Sequence, residues 1–414
     1  MKYDIIVIGG GPSGMMTAGI AGQNGARVLL IEKNHNLGAK LLITGKGRCN
    51  ITNHTLKVSE LVKQYGVNGK FLFSAFNKFD VEDTMSFFEN YGVGVKVERG
   101  NRVFPQSDRA IDVLNALKKF LKESKVEIKT KAQVKDIVKK GKKIEKIVLS
   151  DGQELVADNF IIATGGKSYP MTGSTGDGYS WLQKLGHHVV APRPALVPII
   201  VKEKWIKELE GLSLKNVEIG IYKNNKKIKS EFGEAIFTDN GLSGPIILDL
   251  SKTAGELLPG DVNLKIDFKP ALDDKKLDDR LQKDFKEFGA KIFRNYLAEL
   301  CPSKLIPVMV KLSGIQADKK VNTISREERK NLLKLLKSFT LEIKALDSFD
   351  KAIITAGGVD LKEIDPQTMR SKIIENLYLV GEILDIDGPT GGYNLQVCWS
   401  TGNLAGSQIA NIEY

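Results

Sequence analysis

The stretch GAKLLITGKGRCN, Gly38 to Asn50, places Lys46, Arg48 and Cys49 among glycines, combining the residue types of a phosphate-binding loop with those of a redox site. A P-loop needs four residues between its first glycine and its Gly-Lys pair, and then Ser or Thr for a metal ion. Here six residues separate Gly38 from Gly45, and Gly47 follows Lys46. Spacing and chemistry both exclude a triphosphate loop. A second candidate, GGGPSG, carries G-x-G-x-x-G as Gly9, Gly11 and Gly14. In that motif the first glycine makes the turn, the second lets backbone approach a pyrophosphate, and the third lets helix and strand pack closely, with the helix N-terminus facing the negative charge. Glu32 lies eighteen residues after Gly14, where a carboxylate can hold a ribose hydroxyl pair. Together these residues predict a bound dinucleotide.

That chemistry requires the glycines to lie between a strand and a helix. Tyr3 to Ile8 reads as an apolar strand, Met15 to Asn24 has helix-compatible composition, and Arg27 to Ile31 is a second buried strand, so the chain opens on a βαβ unit. Helices are predicted over Val81 to Tyr91 and Asp108 to Ser124, the latter from the spacing of Ala110, Val113, Leu114, Leu117 and Leu121. Strand-like runs follow at Val126 to Lys129, Ala132 to Val138, Ile144 to Leu149 and Asn159 to Ala163. Pro192, Pro194 and Pro198 mark a boundary, after which strand-like segments continue to about Phe268 and a charged helical pattern runs from Leu277 to Leu336. At Ala352 the pattern of short apolar strand and glycine returns. The expectation is an α/β protein with a Rossmann-like domain over residues 1–190 and 351–414. Inserted in it are a β part at 191–270, a helical cap at 271–337 and a return strand at 338–350.

With 414 residues and 42% hydrophobic residues the chain can bury ordinary cores. Cys49, Cys301 and Cys398 are too few and too scattered for a disulfide framework or a cysteine zinc site, which fits a reducing, cytoplasmic setting. Cys398 in the run VCW and Cys301 before Pro302 read as structural, and the adjacent pair His187 and His188 is a poor metal site, so no metal is expected. MKYDIIVIGGG reads as a buried strand rather than a signal peptide, and no apolar stretch reaches the roughly 20 residues that cross a bilayer. The net charge of +11 is uneven: residues 101–150 hold 14 Lys and Arg against 6 Asp and Glu. That segment is either a solvated lysine-rich face or the footprint of a nucleic acid, attractive to phosphates but without aromatic platforms for bases.

Two downstream segments favour FAD over NAD as the resident dinucleotide. IIATGGKSYPMTGSTGDGYSW places Thr164, Gly165 and Gly166 after an apolar strand, as the Ala-Thr-Gly turn stands in FAD enzymes of the glutathione-reductase and fumarate-reductase type. NLYLVGEILDIDGPTGGYNLQVCWSTGNLAG resembles the closing motif of those enzymes, a strand, Gly381 and Glu382, and a glycine loop opening a helix whose N-terminus can stabilise negative charge on a reduced flavin.

GAKLLITGKGRCNITN, GNRVFPQSDRAIDVL, ATGGKSYPMTGSTGDGY, FTDNGLSGPIIL and LVGEILDIDGPTGGYNLQ, in this order, resemble the BaiN/RdsA family of NAD(P)/FAD-dependent oxidoreductases, also described as aminoacetone-oxidase-like flavoproteins. The resemblance runs nearly end to end and implies an FAD domain interrupted by a β-barrel-like subdomain and a helical cap. It implies cofactor contacts at Gly9, Gly11, Ser13, Gly14, Glu32, Lys33, Lys40, Gly45, Gly47, Arg48 and Asn50, at Thr164, Gly165 and Gly166, and at Gly381, Glu382, Asp387, Gly392, Tyr393, Asn394 and Leu395. Lys46 and Arg102 would face the substrate, although Arg102 could equally anchor its loop. Asp239 departs from the family, many members having His after the Phe-Thr pair. The chemistry implied is reduction of an activated C=C bond, in ribosomal RNA uridine or in a bile acid. With one dinucleotide fingerprint, taken by FAD, NAD(P)H would be a transient reductant. Such a reduction needs a proton donor, and Cys49, flanked by Lys46 and Arg48, is expected either to be that acid, its pKa tuned by the cations, or only to line the pocket. The other readings are a small-molecule flavin oxidoreductase and a non-catalytic flavoprotein.

Overall fold

The computed structural model describes residues 2–410 and divides the chain into two compact units, residues 1–194 with 349–414, and residues 195–348. In the first, strands β1 (Tyr3–Ile8), β2 (Val28–Ile31) and β6 (Glu127–Lys129) join Ala157–Ile162 and Leu377–Leu379 in an all-parallel sheet, ordered Leu377–Leu379, Ala157–Ile162, β1, β2, β6. Ile5 to Ile8 and Val28 to Ile31 are buried, as apolar strands covered on both faces must be. Helix α1 (Pro12–Gln23) follows β1 at once, with Pro12 in its first turn, where a missing N–H costs nothing. It packs along the closing helix Tyr393–Ala410: a Cβ on Gly402 would stand 2.7 Å from Ser13 O, and one on Gly406 2.7 Å from Thr17 O. A second, antiparallel sheet, β3 (Thr52–Asn53), β5 (Arg102–Pro105) and β4 (Val95–Glu98), stands beside it.

The second unit is a closed barrel of six strands, ordered Ile199–Val201, Gly241–Ser243, Lys226–Phe237, Ser213–Lys223, Val262–Asp267 and Phe339–Leu346. Its helices include Asp274–Glu287 and Arg326–Lys337, capped by Asp273 and Ser325, with Leu277, Leu281, Leu332 and Leu336 buried. The expectation of strands continuing to Phe268 misses helix Pro245–Leu257, which packs on the barrel strands. Its apolar run PIILDL is short enough to pass for a strand, and the informative signal is Gly244-Pro245 at the helix start.

His187, just past the Gly186 helix cap, belongs to a buried brace in the first unit. Its Nδ1 lies 2.9 Å from Glu363 Oε2 and its Nε2 2.9 Å from Ser371 Oγ, whose oxygen accepts from Ile373 N and Ile374 N. Burial lowers the imidazole pKa, outweighing the Glu363 carboxylate, which raises it. The folded state therefore favours the neutral ring. Below about pH 6.5 the unfolded chain takes up a proton that the folded chain refuses. This brace's stability is present above that pH and is lost as pH falls, by up to about 1.4 kcal/mol per pH unit. We expect the urea midpoint of the first unit to fall between about pH 7.5 and 5.5, and a His187→Asn variant to be less stable but flatter over that range.

Candidate active site

The parallel sheet gathers the candidate residues at the C-terminal ends of its strands, where open α/β sheets bind ligands. Gly9 ends β1 with φ +112°, and a Cβ there would stand 2.4 Å from Ala163 O. One on Gly14 would meet Gly9 O at 1.9 Å. Neither position tolerates a side chain. Around Gly11 a Cβ would meet nothing within 4 Å, so backbone faces open space at the start of α1. Glu32, at the end of β2, accepts from Gly10 N at 2.8 Å and Asn34 N at 2.7 Å, which orients its carboxylate and leaves lone pairs for two further donors. Ser13 is buried beside Gly381.

Lys33 directs its ammonium at Thr175 Oγ1 (2.6 Å) and Asp177 Oδ2 (2.8 Å), and Asn34 Nδ2 donates to Thr172 O. Lys33 thus fastens the loop after Gly173 onto the end of β2. Lys40, on the short helix Ala39–Ile43, donates to Glu382 Oε2 at 2.7 Å and Ser168 Oγ at 2.5 Å, while Glu382 Oε1 accepts from Ser168 Oγ and Thr355 N. The pair is largely buried, its side chains 20% and 18% exposed. Four chain segments meet at this cluster. Gly165 and Gly381 adopt left-handed φ of +69° and +75° next to it, and a Cβ on Gly166 would overlap Thr355. Thr164 Oγ1 is buried without a partner.

The Thr44–Gly47 turn is left-handed at Gly45 (φ 56°), Lys46 (φ 60°) and Gly47 (φ 83°). Lys46 is exposed at its tip. Arg48 turns away from it, bonding Glu98 and Asp108 and lying 4.0 Å over the Phe104 ring. Lys96, then Arg48, hold the Asp108 carboxyl below the usual range.

Cys49 does not fit the role of an acid tuned by neighbouring cations. Its side chain is 0% exposed, burial pushes the thiol up to about 12, and the only opposing influence is its hydrogen bond with Thr44. Its flanking cations point elsewhere, and chain neighbours need not be spatial neighbours. We expect Cys49→Ala to cost about 1 kcal/mol of stability, from the buried volume lost, while product formation per bound flavin stays near wild type. Cys398, expected in the core, is half-buried beside Gly381 and Glu382.

The closing helix begins after Gly391 and Gly392, at φ +116° and +101°. A Cβ on Gly392 would stand 2.3 Å from Thr52 O. Asn394 braces its own loop, accepting from Gly388 N and donating to Gly388 O and Pro389 O. Asp387 is buried and Leu395 packs partly on the core. Tyr393 sets its ring edge-on to Tyr65, and its Oη lies 3.5 Å from Thr55 Oγ1. Asn53, the last residue of GAKLLITGKGRCNITN but given no role there, is 3% exposed and donates to both Gly391 O and Gly100 O at 3.1 Å. It ties the glycine turn to the loop between β4 and β5, which carries Arg102. Ser168 stands within ATGGKSYPMTGSTGDGY without an assigned role, and Thr355 lies in no motif, their partners being in distant segments.

A family model described as the HI0933-like protein Rossmann domain matches residues 3–408. The chain belongs to the HI0933-like family. A 3-dehydro-bile acid delta(4,6)-reductase of Clostridium scindens is 32% identical to this HI0933-like chain over 408 residues, 98% of each. The ribosomal RNA dihydrouridine synthase of Escherichia coli K12 is 28% identical over 400 residues, 97% of this chain and 96% of that one. A solved quinol fumarate reductase of E. coli covers 99% of this chain and 70% of its own with a TM-score of 0.54 at 15% identity, a likeness of fold. This HI0933-like protein is an FAD-dependent oxidoreductase.

The residues fit that cofactor. Gly11 leaves backbone open to a pyrophosphate, Glu32 has lone pairs for ribose hydroxyls, and the buried Asn50 Oδ1 has no partner within the protein. Among the described residues no His, Cys, Asp and Glu cluster could hold a metal ion, and no helix is long and apolar enough to cross a membrane.

Proposed function

We propose that this protein reduces an activated C=C bond, that its substrate is uridine in ribosomal RNA, converted to dihydrouridine, and that NAD(P)H is the transient reductant. The observation that carries the reading is that relatives matching the chain over nearly its whole length bear names denoting saturation of a C=C bond. A net charge of +11, with Lys46 and Arg102 exposed beside the site, supports a polyanionic substrate. Bound FAD supplies the hydride equivalent, and the protein must orient the substrate ring, exclude water and deliver a proton to the second carbon.

We assign that proton to Tyr393. Thr55 Oγ1 donates to Asn53 Oδ1 at 2.7 Å, so it can only accept from Tyr393, across 3.5 Å. A hydroxyl proton with so long a contact is free to turn toward a substrate, whereas the Cys49 thiol is sealed within the protein. The small-molecule reading draws on the bile acid reductase relative and predicts turnover without ribosomal RNA. Mapping dihydrouridine in ribosomal RNA from cells lacking this gene separates the two. One position should revert to uridine, and an unchanged map would sink the RNA reading.

A further inference from the structure

We propose that the turn joining β4 to β5, carrying Arg99 and Arg102, is an arm that binds the phosphodiester next to the target base. This inference rests on the RNA reading above and adds to it the place where the strand is held.

The turn, Arg99-Gly100-Asn101, is left-handed at Gly100 (φ 77°) and Asn101 (φ 58°), so Arg99 and Arg102, the first residue of β5, flank a tight turn. Two contacts fix that loop. Asn53 Nδ2 donates to Gly100 O and Gly391 O at 3.1 Å each, and His54 N donates to Asn101 O at 2.7 Å. The arm is therefore one side chain away from the glycine turn that opens the closing helix.

Its charge is unspent. The carboxylates near the arm, Glu98 and Asp108, are taken by Arg48 and Lys96, with Lys96 Nζ 2.7 Å from Asp108 Oδ2. Arg99 is exposed, and among the described residues no carboxylate pairs with it. Arg102, also exposed, has its Nε on Arg99 O, and its guanidinium carbon lies 5.9 Å from the Phe104 ring, leaving the outer nitrogens for a ligand. Two forked donors free of acids suit a phosphodiester.

The most lysine-dense part of the basic segment lies elsewhere. The tip of its hairpin, Lys140 to Lys143, is tied by Lys142 O to Glu375 N, just before strand Leu377–Leu379. That is the N-terminal edge of the parallel sheet, whereas Gly9, Glu32 and Gly381 mark the C-terminal edge. This lysine-rich tip is thus at the wrong end of the strands to hold the reacting nucleotide, whereas Lys129 and Lys131 of the same segment lie beside Glu32 and Asn34.

The test uses the FAD-loaded full-length protein and an in vitro transcribed ribosomal RNA fragment containing the target uridine, with dihydrouridine formation and RNA binding followed against salt. Arg99→Gln/Arg102→Gln should raise KM for the fragment by about tenfold and flatten the plot of log affinity against log salt by about one unit. Arg99→Lys/Arg102→Lys should recover most of the salt slope. Lys140→Gln/Lys142→Gln should leave KM unchanged. Bound flavin, read from its visible absorbance, checks folding, and the single Arg99→Gln variant at an exposed turn position serves if the double variant folds poorly. Wild-type KM and salt slope in the glutamine variants would overturn the arm while leaving the RNA reading standing. Failure of the wild type itself to bind or modify the fragment would overturn both.

Discussion

Tyr393→Phe is expected to slow product formation by about 10²–10³-fold while flavin stays bound, because it removes one proton and little else. The ring's edge-on contact with Tyr65 is kept by Phe, and the Tyr65 hydroxyl bonds the Tyr393 carbonyl rather than the side chain. Little stability should therefore be lost. A reduced C=C needs a proton at the carbon that does not receive hydride, and we propose that Tyr393 Oη, at the start of the closing helix, supplies it. The measurement is the rate of dihydrouridine formation per bound flavin under single-turnover conditions. A Tyr393→Phe rate equal to wild type would assign the proton to another group or to water.

Lys40→Met is expected to destabilise the first unit by roughly 2–4 kcal/mol and to release flavin, since it leaves a mostly buried carboxylate without its cation. Glu382 would keep only the Ser168 hydroxyl and the Thr355 amide as donors. The same logic predicts that adding Glu382→Gln to Lys40→Met restores much of the loss, because the uncompensated charge disappears with it. Urea unfolding of the four proteins in that cycle, with flavin content read in parallel, checks both statements. A double variant as unstable as Lys40→Met alone would show that the ammonium acts through packing rather than through charge.

The site was legible where its chemistry is local. Gly9, Gly11 and Gly14 lie within six residues, and Glu32 ends the next strand, so spacing alone places them around one ligand. The same holds for the helix Ala110–Glu123, whose one buried face repeats with helical period. What was not legible depends on partners far apart in the chain. Lys33 meets Asp177, 144 residues away, Lys40 meets Glu382, 342 away, and Asn53 reaches Gly391, 338 away. No spacing rule encodes those pairs. Cys49 shows the opposite hazard: Arg48 is adjacent in sequence, yet its guanidinium faces Glu98 and Asp108, and the thiol is buried with no cation on it. Helix Pro245–Leu257 was hidden although Ile246, Ile247, Leu250, Ser251 and Ala254 are buried with helical spacing, because its short apolar start PIIL taken alone reads as a strand.

We propose that hydrogen from the bound flavin is transferred to uridine in ribosomal RNA. The most direct test loads the protein with FAD, reduces it anaerobically with NADPH, and mixes it with ribosomal RNA from cells lacking the gene, following flavin absorbance and dihydrouridine together. Rapid flavin reoxidation with one dihydrouridine formed per flavin is the expected result. Flavin that stays reduced in the presence of that RNA, or is reoxidised without dihydrouridine appearing, would contradict it.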